Sequence, residues 1–311
     1  MTALLKNKYF VFYLFLYAIS ILYLHFSFSE PLSNYLTVFF ILGLGFSFIA
    51  WLLTNEIEQP VHKPEIRNET LVLISLILWI FFYISFGSKL INQLFPKDWI
   101  DNTQISSIVI FVKKLLVFVA IPFLIYKAFG FSLPDFGLRK APFKLFSKKS
   151  ISIFIVLSIA SLIFQYFLGN GSKPLRDGQF STFQLIKGLP LCFIYLLFDA
   201  GLIEEFFFRG FLQSRLSVLL KSSTGAIIVS AVIFGLIHAP GLYLRGAASE
   251  GIEEQLPFLF FAAYTIAYMS VAGIFLGIVY NKTKNLWLVM AIHAMVDLFP
   301  NFNEFVKTWH I

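Results

Sequence analysis

The chain has 311 residues, 58% hydrophobic and only 13% charged, with a mean hydropathy of +0.80. Soluble domains are about 45–50% apolar and about 25% charged, so a water-soluble enzyme with a large aqueous domain is excluded. The net charge of +7 reads as lysine and arginine collected in cytoplasmic loops rather than as a nucleic-acid surface, and the single cysteine, Cys192, excludes an intrachain disulfide and a cysteine metal cluster.

Spanning helices need about 20 mostly apolar residues each. Taken in chain order, nine spans are predicted, near Tyr9–Phe26, Tyr35–Leu53, Leu71–Phe86, Ile108–Tyr126, Ile151–Leu168, Leu189–Leu220, Thr224–His238, Leu256–Tyr280 and Leu286–Phe299. The expected fold is therefore all-α, a polytopic transmembrane helix bundle of about eight or nine spans. The first span follows Lys6 and Lys8 and has no clear small-residue cleavage site, so it reads as a retained anchor rather than a signal peptide. Lys113 and Lys114, in the fourth, are expected to mark its outer end by snorkelling. The short seventh and ninth spans suit burial within protein.

Loop charge orients the bundle. With the N-terminus inside, 14 Lys and Arg fall on the cytoplasmic side, Arg215 among them, and 7 outside. The loop Lys127–Lys149 holds six basic residues against one acid, Asp135. By content the chain divides into N-terminal scaffold helices over 1–130, a basic loop, fifth span and connector over 131–188, and a polar-bearing C-terminal domain over 189–300. Spans one to five carry almost no buried charge. The intramembrane polar groups run from Asp199 to Asp297.

Three spacings matter. In Glu204-Glu205-x3-Arg209, the second glutamate and the arginine are four apart and share a helix face, where they can pair. Glu204 points about 100° away. A carboxylate at the bilayer centre costs roughly 2.5–3.5 kcal/mol on insertion scales, so two in succession require a reason. An ion-paired lock accounts for Glu205 with Arg209 but not for Glu204, whose apolar setting suits a general base for water. Phe234-x3-His238 places a histidine before Ala239-Pro240, near the predicted helix end. Taken alone it reads as a packed or hydrogen-bonded residue. His293-x3-Asp297 puts two polar side chains on one face, fit to orient an imidazole, stabilise an oxyanion, bind a metal, or join two helices. His25, His62 and His310 show no partner pattern. At about 1.5 Å rise per residue, Glu204 lies roughly 25 Å from Lys221, His238 roughly 21 Å from Thr224, and His293 roughly 12 Å from Asn285, so the three motifs can converge near mid-membrane. The His-Glu-x2-His helix of a zincin is absent from the sequence. A zinc site of Glu204, His238 and His293 across three helices is the alternative left open.

The ordered set Glu-Glu-x3-Arg, Phe-x3-His and His-x3-Asp, over about Leu189 to Phe299, resembles the CPBP family, the CAAX protease and bacteriocin-processing intramembrane proteases, whose eukaryotic relatives are the CAAX prenyl endoproteases. Phe136-Gly137-Leu138-Arg139 resembles a segment often found upstream of that domain. The resemblance implies an intramembrane endopeptidase of a bacterial cell membrane, acting on peptide or protein substrates at the bilayer, prenylated ones included, without nucleic acid. It implies that Glu204 and His238 activate water, that Glu205 and Arg209 support the site, and that His293 and Asp297 stabilise the oxyanion or orient the substrate. Asn is common at the last position in the family. Asp297 donates a hydrogen bond only when protonated, so it is expected to orient His293 instead. A metal-free glutamate mechanism is expected, with zinc as the alternative. The competing readings are a non-catalytic scaffold or bacteriocin immunity protein, and a proton-coupled transporter. The transporter predicts inverted repeats and broken helices, which the chain does not display. The loop Gly241–Gln255 reads as a solvated connection.

Overall fold

The computed structural model describes residues 7–54, 66–83, 93–96, 98–99, 102–131, 147–245, 252 and 256–311. Among them the secondary structure is helical: α1 Lys8–Phe28, α2 Leu32–Thr54, α3 Ile66–Phe82, α4 Thr103–Ala128, α5 Lys148–Leu168, α6 Thr182–Leu219, α7 Ser223–Arg245, α8 Phe258–Thr283 and α9 Leu286–Trp309. Seven of these (all but α3 and α9) are long and apolar enough to cross a membrane. The protein is thus an all-α polytopic bundle in which the predicted spans are helical over their described residues.

Local chemistry sets the helix ends. Asn7 Oδ1 accepts from the Tyr9 and Phe10 amides at the start of α1, and Asn102 does the same for Gln104 and Ile105 at the start of α4. Such caps satisfy amides that have no partner within the helix. Ser181 and Gln184 form a reciprocal capping box at α6, and Asn285 caps α9 through the Leu288 amide. Lys284 ends α8 in the left-handed conformation, φ 48°.

The central element is α8, with 67% of its apolar span buried against 17–39% for the other six. It packs on α7 along its length, with α1 against its first half and α2 against its second. On the other side α9 lies between α5 and the first half of α6. Two apolar cores result. The larger joins the N-terminal helices, the end of α6, α7 and α8. The smaller, around Cys192, Leu196, Ala294, Leu298 and Phe302, belongs to α6 and α9. Outward-facing Phe12, Phe15, Phe40, Phe48 and Phe167 are exposed, the lipid-facing pattern of a membrane bundle.

Four expectations need correction. The seventh helix does not stop at His238 but continues through Pro240 to Arg245. Proline removes one backbone donor, a loss that buried membrane helices tolerate because neighbours satisfy the freed carbonyl. Lys113 and Lys114 stand mid-helix in α4, not at its outer end. Arg215 is not a loop charge: it is buried within α6 and ion-paired with Glu69 of α3, its guanidinium 5.2 Å from the ring centres of both Tyr126 and Phe131. Glu69 and Lys114 also show that spans one to five are not free of embedded charge. The Phe136–Arg139 segment, His62, and Glu250, Glu253 and Glu254 of the 241–255 loop lie outside the described residues.

Candidate active site

The site forms where α6, α7 and α9 converge, and the helix approach that permits it is set by two glycines. A Cβ on Gly201 would meet the Met290 carbonyl oxygen at 2.6 Å, and one on Gly235 would meet the Thr265 carbonyl oxygen at 2.7 Å. Only glycine allows backbones this close. Gly201 lies one turn before Glu204, Met290 one turn before His293, and Gly235 one turn before His238. The α6 backbone is locally widened into π-type turns over Leu197–Leu202 and Phe206–Gln213, with Ile203–Glu205 between them. Such insertions re-aim side chains and recur at functional sites.

All six predicted site residues come together. Glu205 is fully buried, and its Oε1 accepts from Arg209 Nη1 at 2.8 Å and from His293 Nδ1 at 2.6 Å. Arg209 also donates through Nη2 to the Gly273 carbonyl at 3.2 Å, and its guanidinium lies 4.8 Å from the centre of the Phe234 ring. The pair therefore ties α6 to both α8 and α9, and a buried pair persists only when such additional bonds offset its desolvation. Because Glu205 accepts at His293 Nδ1, that nitrogen carries a proton, which leaves Nε2 facing Asp297 Oδ2 at 3.4 Å and Glu204 Oε2 at 3.9 Å.

His238 is oriented from its own helix. Its Nδ1 donates to the Phe234 carbonyl at 2.6 Å, since a carbonyl can only accept. Its Nε2 is thereby turned toward Glu204 Oε2, 3.6 Å away. Phe234 touches both imidazoles edge-on, with ring centres 5.0 Å from His238 and 5.9 Å from His293. A gradient of access crosses the cluster. The side chains of Glu205 and Arg209 are 0 and 1% exposed and that of His293 5%, whereas Glu204, His238 and Asp297 reach 20, 28 and 30%. The buried side is a salt-bridged support, and the open side presents Glu204, His238 Nε2 and Asp297.

Two residues that the motifs did not single out adjoin this cluster. Lys114 of α4 donates from Nζ to Asp199 Oδ2 at 2.8 Å, and Asp199 lies in the first widened turn of α6. The available signal was a lysine in the middle of an apolar segment, which demands a partner. His25, by contrast, bonds the Glu30 carbonyl near the end of α1. Among the described residues, no group of three or more His, Cys, Asp or Glu side chains is arranged to hold a metal ion.

Comparison with known proteins bears on the same segment. Residues 184–299 match a family model described as type II CAAX prenyl endopeptidase Rce1-like. No curated protein matches the chain, and no solved structure does. The matched stretch opens near the start of α6, closes within α9 and contains Glu204, Glu205, Arg209, His238, His293 and Asp297. Over residues 184–299 the chain is thus similar to the Rce1-like type II CAAX prenyl endopeptidases, a likeness consistent with the CAAX protease and bacteriocin-processing family, and this stretch lies in a bundle with seven helices long and apolar enough to cross a membrane.

Proposed function

We propose that this protein is an intramembrane endopeptidase in which Glu204 and His238 activate water for attack on a peptide bond of a membrane-associated substrate, prenylated peptides included. The observation that supports this best is the facing of two proton acceptors, Glu204 Oε2 and His238 Nε2, 3.6 Å apart on the accessible side of the cluster. That separation is too long for a direct hydrogen bond but suits a water donating to both at about 2.8 Å. In the step that follows, the water oxygen bonds to the scissile carbonyl carbon while its proton passes to Glu204. The C–N bond then breaks, and the same proton goes to the departing amine.

His293 supports the second requirement, a place for the oxyanion. With Nδ1–H held by Glu205, the ring is turned so that Nε2 faces the accessible side, where in the protonated ring it is a pre-aimed donor for developing negative charge. Asp297 orients the same ring from one turn along α9. Glu205 and Arg209 hold His293 in place and do not touch the substrate. The reaction is read as metal-free.

The test is cleavage by the purified protein reconstituted in lipid, wild type against Glu204→Gln. The substrates are a farnesylated peptide ending in a CAAX sequence and a library of membrane peptides, read by mass spectrometry. The variant is expected to lose about a hundredfold or more of the rate, and chelation is expected to leave the wild type unchanged. Equal cleavage by both proteins overturns Glu204 as the base. Loss on chelation, restored by zinc, overturns the metal-free reading.

A further inference from the structure

The ring of Phe234 stands where four helices meet at the site. It belongs to α7 and is 4% exposed. The Arg209 guanidinium of α6 lies 4.8 Å from its centre. The ring centres of His238, one turn along the same helix, and of His293 on α9 are 5.0 and 5.9 Å away. Phe208 of α6 backs the ring edge to face, centre to centre at 5.0 Å. From α8, a Cβ on Gly273 would stand 3.4 Å from the ring, so this glycine lets the α8 backbone come up to it. Three of the six site residues therefore touch one apolar side chain, and the backbone carbonyl of the same residue accepts from His238 Nδ1.

A guanidinium carries its donors in one plane and must satisfy them when it is dry. Arg209 Nη1 donates to Glu205 Oε1 and Nη2 to the Gly273 carbonyl. Its Nε, also buried, has no hydrogen-bond partner among the described residues. Hydrogen bonds thus leave this buried cation short of partners. An aromatic face within about 6 Å attracts a guanidinium through the ring quadrupole, most strongly where water is excluded, and Phe234 supplies such a face. Whatever holds Arg209 is passed on by contact, because Arg209 holds Glu205 and Glu205 Oε1 holds His293 Nδ1. We infer that Phe234 is a positioning residue, whose ring face seats the Arg209 guanidinium and, through Glu205, fixes the His293 imidazole where hydrolysis needs it.

This inference rests on the proposed reading of the cluster as a protease site. Packing and ring electrostatics separate when the shape of the ring is kept and its quadrupole is changed. Phe234 is replaced in turn by mono-, di- and trifluorophenylalanine. Each fluorine draws electron density from the face and weakens its attraction for a cation, while the ring keeps nearly the same size. The same series at Phe275, a fully buried ring of α8 that packs on Phe46, is the control for fluorine in a tight place. Phe234→Leu and Glu204→Gln are assayed beside them. All proteins are reconstituted in lipid. Steady-state cleavage of a farnesylated CAAX peptide and of the membrane-peptide library gives kcat and KM, and thermal melts give the folded fraction.

Across the Phe234 series, kcat per folded molecule is expected to fall stepwise, by about threefold or more at the trifluoro ring, with KM little changed. The Phe275 series is expected to stay near wild type. Phe234→Leu, which removes the face altogether, is expected to lose about tenfold or more in kcat. A flat Phe234 series overturns the inference, because packing alone predicts it. An equal fall in the Phe275 series also overturns it, as does a Phe234 series in which melting temperature falls while kcat holds. A fully active Glu204→Gln beside a graded Phe234 series overturns the reading of Glu204 as the base and supports that of Phe234.

Discussion

Gly201 and Met290 touch backbone to backbone: a methyl group on the glycine would stand 2.6 Å from the Met290 carbonyl oxygen. One helical turn further along each helix, Glu204 and Glu205 meet His293. The spacing of α6 and α9 at this contact thus decides whether the carboxylates reach the imidazole. Gly201→Ala is expected to cost about 1–3 kcal/mol of stability by overpacking and to lower cleavage about tenfold or more, because displacement of roughly 1 Å is enough to impair positioned groups. Gly45→Ala, whose nearest contact is the Phe40 carbonyl oxygen at 3.4 Å, is the control and should leave both measurements near wild type. Thermal melts in detergent and cleavage rates decide it.

The Glu205–Arg209 pair should behave as a buried pair whose partners cannot be removed singly. Glu205→Gln or Arg209→Met is expected to destabilise by about 3–5 kcal/mol, because the remaining charge is left unpaired in a dry site. Arg209→Lys should not restore the wild type, since one ammonium does not reproduce the planar fork that serves Glu205 and the Gly273 carbonyl together. Denaturant melts of the reconstituted protein supply the measurement.

Asp297 and His293 give a prediction about polarity rather than charge. Asp297 Oδ2 lies 3.4 Å from the His293 nitrogen assigned to the oxyanion. Asp297→Asn preserves an oxygen there and adds an N–H donor, so kcat should stay within about threefold of wild type or rise. Asp297→Leu, which removes both, should lower kcat about tenfold or more. Steady-state kinetics on one cleaved peptide distinguish the two.

The Glu69–Arg215 pair joins α3 to the end of α6, outside the six-residue cluster. Glu69→Gln should therefore lower the melting temperature, by the equivalent of about 3 kcal/mol for a broken buried pair, while kcat per folded molecule holds. A parallel fall in kcat would make this pair part of the catalytic machinery.

Lys284, at the turn between α8 and α9, is held down from the usual lysine range to about 8, first by burial and second by the nearby Arg215 charge. The unfolded chain keeps its proton over the whole interval from there up to the ordinary lysine value, so it binds more protons than the folded protein and stability rises as pH increases through that window. Lys284→Met should flatten this rise. Acylation at pH 8 should modify Lys284 ahead of the neighbouring Lys282.

Much of this was legible in the chain itself. A charge cost in apolar surroundings singles out Glu204 and Glu205 without any structure, and helical periodicity by itself puts Glu205 beside Arg209 and His293 beside Asp297. Both pairs lie within one helix, where spacing dictates proximity, and both are found. The apolar runs likewise determine that these segments are helical among the described residues, because a backbone in lipid must satisfy its own hydrogen bonds. Pairing between helices was not legible. That His293 bonds Glu205 rather than Glu204, that His238 Nε2 comes to face Glu204, and that Lys114 turns inward to Asp199 instead of reaching for the membrane surface all depend on which faces meet and how closely. The approach of α6 to α9 and of α7 to α8 is set by Gly201 against Met290 and Gly235 against Thr265, contacts between residues far apart in the chain, which no local pattern of apolar and polar residues encodes.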